Sequence, residues 1–163
     1  MGSASGLSDR RLTVWNTMLD ADMNLCYWTL KCNRSVRWDQ GLKTLVALTA
    51  SGTAIAALSV WARYPIVWQV ISVVACVASV IHSVYFPSEK LTRISGLVAT
   101  WKELSIDYEL LWQKYDQLSS SEAWKEFEAT KRRERTIDES QFPVDNKLRE
   151  KAVQHVLRKR GLA

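Results

Sequence analysis

Two uncharged segments decide the fold: residues 44–62, TLVALTASGTAIAALSVWA, and residues 64–88, YPIVWQVISVVACVASVIHSVYFPS. Arg63 is the only charged residue between Thr44 and Ser88, although the chain holds 22 basic and 17 acidic residues. A helix rises about 1.5 Å per residue, so about 20 apolar residues cross a hydrocarbon core of about 30 Å. Both segments are long enough, and we predict a transmembrane hairpin over residues 44–88, with spans at 44–62 and 65–87 and a turn at 62–65.

The average composition conceals these segments. The chain has 163 residues, of which 47% are hydrophobic and 24% charged, and its mean hydropathy is -0.14. Such averages are typical of a soluble domain and exclude a disordered chain, while three Cys, three Pro and six Gly exclude a disulfide scaffold and a collagen. The alternative to a membrane hairpin is a pair of helices buried in a soluble core. The remaining polar helices are too few to surround both segments on every side.

Aromatic and basic residues near the segment ends support the membrane interpretation. Trp and Tyr prefer the headgroup level of a bilayer, and aromatic rings occur at both ends of the hairpin: Trp38, Trp61, Tyr64, Trp68, Tyr85 and Phe86. The turn holds only one basic residue, whereas the flanks hold several: Lys31, Arg34, Arg37, Lys43, Lys90, Arg93 and Lys102. The positive-inside rule therefore predicts that both termini lie in the cytoplasm.

Both flanks predict helices, so the predicted fold class is an all-α membrane protein, a two-helix hairpin with N- and C-terminal cytoplasmic helices. In the N-terminal segment, residues 1–43, we predict an amphipathic helix over 8–40 whose apolar stripe avoids Asp20 and Asp22. The stripe consists of Leu12, Trp15, Leu19, Cys26 and Leu30. Gly41 is a candidate bend before the first span.

The segment at 89–118 predicts a helix with an unbroken heptad seam. Apolar residues alternate at spacings of three and four: Ile94, Leu97, Trp101, Leu104, Tyr108, Leu111, Tyr115 and Leu118. Either this seam packs only on the N-terminal helix of the same chain, or it also contacts other copies and holds a homo-oligomer together. The second interpretation rests on the width of the face, since one amphipathic helix is too narrow to cover so many rings.

The C-terminal segment, residues 119–163, carries two helix starts, and we assign it to regulation or partner docking. Ser119 and Glu122 have the spacing of a capping box. A last helix follows, from Asn146 to about Arg160. Asp145 is its predicted N-cap and Gly161 its predicted stop. Its basic end, residues 158–160, is either a solvated end that complements the helix dipole or a contact for phospholipid or nucleic acid.

No motif in the chain predicts catalysis. There are two His, His82 and His155, and the sequence holds no HExxH, GxSxG, CxxC or glycine-rich phosphate loop. Acidic pairs such as Asp138 with Glu139 lie in charge-rich stretches, where a solvated surface is the expected role. We therefore expect no enzyme, no cofactor and no metal site. The net charge of +5 is too small for a nucleic-acid footprint, so no direct nucleic-acid binding is expected.

Polar residues inside the second span form the candidate functional site. They recur at spacings of three and four and so line one narrow stripe of a helix, with His82 beside its cytoplasmic end: Gln69, Ser72, Cys76, Ser79, His82 and Ser83. Polar side chains in a membrane helix face protein or water. The stripe is therefore either a seam between helices or the lining of an aqueous path in an oligomer.

The first span carries small residues on two faces, which permit close helix packing. The helix-packing candidates are Ala47, Ala50, Gly52, Ala54 and Ala57. One face suits the hairpin partner and the other suits a second subunit. Because two helices cannot enclose a pore, any conducting role requires a homo-oligomer.

The layout resembles the SLATT family, small bacterial two-transmembrane proteins that accompany nucleotide-signalling or retron-type defence modules. The shared features are a cytoplasmic N-terminal helix, the tight hairpin at 44–88 and the long helix at 89–118. The resemblance implies a homo-oligomeric effector of an anti-phage (abortive infection) system, in contact with lipid of the bacterial inner membrane. Such an effector permeabilises or depolarises that membrane when a linked sensor protein, or a retron or nucleotide-signalling partner, detects infection.

Two other functions are compatible with the sequence. In the first, the hairpin is a non-conducting anchor whose cytoplasmic helices recruit a soluble partner. In the second, the chain is a subunit of a larger transporter, which is weakened because neither span holds a formally charged residue.

Overall fold

A computed structural model describes residues 3–56, 66, 69–70, 73–74, 76–77, 79–80 and 88–162. Four continuous helices lie within these ranges: α1 (Ser3–Ala56), α2 (Ser88–Lys114), α3 (Ser120–Glu134) and α4 (Asn146–Lys159). The described residues between 66 and 80 are also helical, and none of the described residues lies in a strand, which confirms the all-α class. Within these ranges, the structure contains no helix with the length and hydropathy that a bilayer crossing requires.

The predicted hairpin falls partly outside the described residues. α1 continues through the predicted bend at Gly41 to Ala56 and so includes the first part of the first span. A Cβ added at Gly41 would meet no atom within 4 Å, so packing does not require glycine there. Residues 57–65, which hold the rest of that span and the turn, lie outside the described residues, as do parts of the second span.

The chain divides into two compact units. We call Met1–Lys31 together with Ile94–Ala163 the helical unit, and Cys32–Arg93 the second unit. In the described part of the chain, every buried hydrophobic side chain belongs to the helical unit. The N-terminal, heptad and C-terminal segments therefore contribute to one core.

α1 contributes a core face whose phase differs from the predicted stripe. The buried apolar residues of this face include Val14, Met18, Ala21 and Trp28. Leu12 of the predicted stripe is 57% exposed, whereas Leu19 is buried. Trp15, Cys26 and Leu30 are partly exposed. The predicted core face of α1 is wrong because this segment carries two sets of apolar residues at helical spacing. Contacts with the other helices determine which of the two sets is buried.

α2 buries most of the heptad seam inside the helical unit. Five seam residues are at most 4% exposed: Ile94, Trp101, Leu104, Tyr108 and Leu111. The other three are partly exposed, and α2 ends before two of them: Leu97, Tyr115 and Leu118.

Partners for the rings of this seam come from beyond the N-terminal helix. The centroids of the Tyr108 and Phe127 rings lie 6.2 Å apart, so α3 covers part of the face. Glu139, in the connector between α3 and α4, binds the Trp101 indole. The interpretation in which the seam packs only on the N-terminal helix is therefore wrong, because Phe127 and Glu139 also contact it. Seam contacts between copies stay a prediction.

The predicted start of α3 is confirmed. The Ser119 hydroxyl accepts a hydrogen bond from the backbone N–H of Glu122 over 3.3 Å. The Glu122 carboxylate accepts one from the backbone N–H of Ser119 over 3.2 Å, which completes a capping box. Local side-chain chemistry therefore fixes where the chain turns from α2 into α3.

Both ends of α4 are also confirmed. The Asp145 carboxylate caps the first turn by accepting from two backbone N–H groups. At the other end Gly161 has a φ of 69°, and the N–H of Leu162 donates to the carbonyl of Leu157 over 2.8 Å. This is a Schellman arrangement, in which the glycine adopts a left-handed conformation that most side chains disfavour.

Candidate functional site

The described members of the polar stripe are exposed in the single chain. Gln69, Cys76 and Ser79 are helical, and their spacings of seven and three put them on one face. Ser72, His82 and Ser83 lie outside the described residues. Whether the stripe is a seam between helices or the lining of an aqueous path stays a prediction.

The small residues of the first span provide less information. Ala47 is exposed, while Ala50, Gly52 and Ala54 belong to α1. Ala57 lies outside the described residues. Their role in helix packing stays a prediction.

A second exposed face lies beside the polar stripe. Its residues are β-branched, are spaced by four and three, and are 52–73% exposed: Ile66, Val70, Val73, Val77 and Val80. Soluble monomers rarely leave a continuous apolar surface open to water. The described helical residues between 66 and 80 therefore include neighbouring polar and apolar positions, and both kinds are exposed.

In the helical unit, one carboxylate oxygen joins two helices to the connector between α3 and α4. Glu139 Oε1 accepts from Nε1 of Trp28 over 2.8 Å and from Nε1 of Trp101 over 2.7 Å. Both indoles are buried, and a buried indole N–H needs an acceptor. The expectation that Glu139 is merely solvated is wrong because the tryptophans it serves lie on distant segments.

Lys31 fastens the same connector to α1. Its Nζ donates to the carbonyl of Pro143 over 2.7 Å and lies 5.5 Å from the centroid of the Phe142 ring. That distance is typical of a cation–π contact. The Tyr27 hydroxyl accepts a hydrogen bond from the backbone N–H of Asp145 over 3.1 Å. The connector is thus held at several successive residues just before α4 begins.

A buried ion pair fastens the end of α4. Asp22 is 7% exposed, and its Oδ2 accepts from Nε and Nη2 of Arg160 over 3.1 and 2.6 Å. Its Oδ1 accepts from the Ser105 hydroxyl over 2.7 Å. Three segments therefore meet at one carboxylate. We expected Asp22 off the core face and Arg160 in an exposed basic end, and both expectations are wrong because each side chain compensates the charge of the other.

Tyr108 makes another polar contact in the core. Its hydroxyl donates to Glu134 Oε2 over 2.7 Å, and Lys131 donates to Glu134 Oε1 over 2.7 Å. Burial, together with the hydrogen bond and negative charge of Glu134, holds the pKa of Tyr108 far above its ordinary value. The hydroxyl therefore stays protonated near neutral pH and acts as a structural donor.

Cys26, which lies near Asp22 and Lys159, is not activated for chemistry. Burial raises the pKa of its thiol, against the opposing positive charge of Lys159. Nucleophilic cysteines react as thiolates, which a raised pKa disfavours. Across the described ranges, no three His, Cys, Asp or Glu side chains are grouped to hold a metal ion.

A scan against protein-family models, a search of curated proteins and a search of solved structures each find no match to this chain. The functional interpretation therefore rests on the sequence and on the geometry of the chain itself.

Proposed function

We propose that the protein is a homo-oligomeric membrane effector. Residues 44–88 form a transmembrane hairpin in the bacterial inner membrane, with both termini in the cytoplasm. Assembly or rearrangement of the hairpins permeabilises or depolarises the membrane. The resemblance to the SLATT family supports a role in anti-phage defence by abortive infection, triggered through a linked sensor.

The observation that carries the proposal is the pair of uncovered stripes between residues 66 and 80. The face of Ile66 and its Val neighbours is apolar and exposed, as a surface against hydrocarbon would be. The face of Gln69, Cys76 and Ser79 is polar and exposed, and in a membrane such a face needs protein or water beside it. Several copies with their polar faces turned inward satisfy both requirements.

The helical unit supports the other half of the proposal. Its core is closed by polar contacts to three separate segments, as at Asp22 and Glu139. A unit of this kind offers a partner a defined surface. We assign it the role of receiving the signal on the cytoplasmic side.

The test of conduction uses a double variant in the polar stripe. Full-length protein is expressed in bacterial cells, and membrane potential is followed with a dye. We expect the native chain to depolarise the cells and Gln69→Leu with Ser79→Leu to abolish this while assembly, measured by cross-linking, stays intact. The matched control, Val70→Leu with Val80→Leu, changes two positions of the apolar face and should still depolarise. Unchanged depolarisation by the polar-stripe variant, or none by the native chain under triggering, would contradict a conducting stripe.

The alternative is a non-conducting anchor, and the self-contained core of the helical unit favours it as a docking platform for a soluble partner. Replacing residues 44–88 with an unrelated two-helix anchor separates the two functions. Retained protection against phage would support the anchor, and lost protection would support the effector. Subunit number in nanodiscs is an independent check, because a dimer is incompatible with a central pore.

A further inference from the structure

A line of cations runs along the outer face of α4. Lys147, Lys151 and Arg158 follow one another at spacings of four and seven, and each is exposed. Ala152 and Val156, on the opposite face, are buried against the helical unit. At about 1.5 Å per residue the line is about 16 Å long. We call these three cations the basic ridge.

The ridge cations have no acidic partner among the described residues. Arg160, on the inner side of the same helix end, is engaged with Asp22. By contrast, none of the ridge cations forms a salt bridge or a side-chain hydrogen bond within the described ranges. Glu150, the only acidic residue in α4, lies in the same groove as the ridge cations but forms no salt bridge with them in the described part of the chain. The positive charge of the ridge is therefore available to an anionic partner.

We propose that the basic ridge docks α4 on the anionic phospholipid headgroups of the cytoplasmic leaflet. The inference rests on the proposed function, because the hairpin keeps the helical unit near the membrane and so raises the local concentration of headgroups. Lys and Arg side chains close to an anionic leaflet each strengthen attachment. A straight row of cations on a helix held by its opposite face suits a flat array of phosphates.

Nucleic acid fits this face less well. Single-stranded nucleic acid is bound by cations together with aromatic rings on which bases stack, and α4 contains no Phe, Trp or Tyr. The net charge of +5 for the whole chain is also small for a nucleic-acid footprint. Because Arg160 ties the end of α4 to Asp22, headgroups bound at the ridge would orient the whole helical unit.

The experiment reports the position of α4 in the full-length protein. Gln154, which lies between Lys151 and Arg158, is changed to Cys and labelled with a fluorophore after Cys26, Cys32 and Cys76 are changed to Ala. The protein is reconstituted in vesicles of phosphatidylcholine, with or without phosphatidylglycerol, that contain a lipid-borne quencher. We expect quenching only with phosphatidylglycerol and its loss at high salt.

Substitutions in the ridge give the decisive comparison. Changing Lys147, Lys151 and Arg158 to Gln should weaken the docked state by about fivefold for each cation removed. The matched control changes Lys125, Arg132 and Arg135 to Gln; it removes the same charge from exposed positions of the helical unit outside the ridge and should leave quenching intact. Equal loss in both variants would overturn a specific ridge and indicate general charge attraction.

Alkaline extraction of the vesicles separates the two proposals. A chain that resists extraction but is never quenched in phosphatidylglycerol overturns the docking and leaves the hairpin in place. A chain that is extracted, yet whose label responds to added phosphatidylglycerol vesicles, overturns the hairpin and supports the docking. A label that responds to an oligonucleotide and not to vesicles overturns the lipid assignment.

Discussion

A buried carboxylate stabilises a fold only while its charge is paired, and Asp22 is the clearest case in this chain. In Asp22→Ala the guanidinium of Arg160, whose side chain is 18% exposed, keeps only Glu109 at 3.6 Å. Removing one partner of a buried pair costs about 3–5 kcal/mol. Because Arg160 retains some solvent, we expect the free energy of unfolding to fall by about 3 kcal/mol, measured by urea denaturation with tryptophan fluorescence.

Asp20 provides the control for this prediction. It lies two residues earlier in α1 and is exposed, so Asp20→Ala changes the same chemistry without touching the ion pair. Surface substitutions of this kind usually change stability by no more than about 0.5 kcal/mol. Equal losses in the two variants would mean that the contact between Asp22 and Arg160 contributes nothing.

Because of the raised pKa of Tyr108, we expect the free energy of unfolding to fall at alkaline pH. Its pKa is raised in the folded chain, so the folded state holds the phenolic proton while the unfolded chain releases it above about pH 10. Stability from this group is complete below about pH 10 and falls by about 1.4 kcal/mol per pH unit above it. Tyr108→Phe removes the titration, so its deficit relative to the native chain should shrink from pH 9 to pH 11. A deficit independent of pH would contradict the assignment.

At the scale of elements, helix caps set where the chain turns, and the Ser119 cap is the simplest to test. Ser119→Ala removes the acceptor for the Glu122 N–H and should lower the free energy of unfolding by about 1 kcal/mol. Ser121→Ala, inside α3 and exposed, is the control and should cost nothing. Thermal unfolding of the three proteins measures the difference.

The same cap predicts a response to acid. Hydrogen bonds from Ser119 hold the pKa of Glu122 below its usual range. The cap therefore stabilises α3 above the unfolded pKa of Glu122 and loses that contribution as the pH falls through the folded value. The deficit of Ser119→Ala should shrink in acid. A constant deficit would show that the carboxylate takes no part in the cap.

Element ends were predictable from the sequence because caps are local chemistry. Ser119, Asp145 and Gly161 each act within a few residues of their own position. The core face of α1 was harder to predict. Asp22 follows Met18 by four residues and so shares its face, but its partner Arg160 is 138 residues away. A charged residue on a core face is interpretable only when the distant partner is known.

At the scale of the whole molecule, charge distribution predicted a hairpin at 44–88 between charged flanks, whereas the second compact unit of the structure is wider, at Cys32–Arg93. The sequence did not predict that the C-terminal segment closes the same core as the heptad helix. That closure depends on pairs such as Trp28 with Glu139, 111 residues apart, and no local pattern encodes them. The exposure of the polar stripe was likewise beyond sequence reasoning, because it depends on which elements cover that helix.

If the helical unit contains the whole buried core, it should fold without residues 32–93. Joining Lys31 to Ile94 through a flexible Gly/Ser linker keeps every buried hydrophobic residue that the structure describes. A domain of this size is large enough for a single core. We expect a monodisperse helical protein in aqueous buffer, with one cooperative thermal transition by circular dichroism.

Substitutions at two nearby positions on α2 test whether the joined chain has a specifically packed core. Leu104 is 2% exposed and Ile106 is 48% exposed. An Asp at position 104 therefore tests the packed core, and an Asp at position 106 of the same helix is the exposed control. Leu104→Asp buries an unpaired charge and should abolish the transition, whereas Ile106→Asp should preserve it. Aggregation of the joined chain itself would show that the core depends on residues 32–93. Equal tolerance of the two substitutions would contradict a packed core around Leu104. A cooperative transition sensitive only at Leu104 would establish that the helical unit folds independently of residues 32–93.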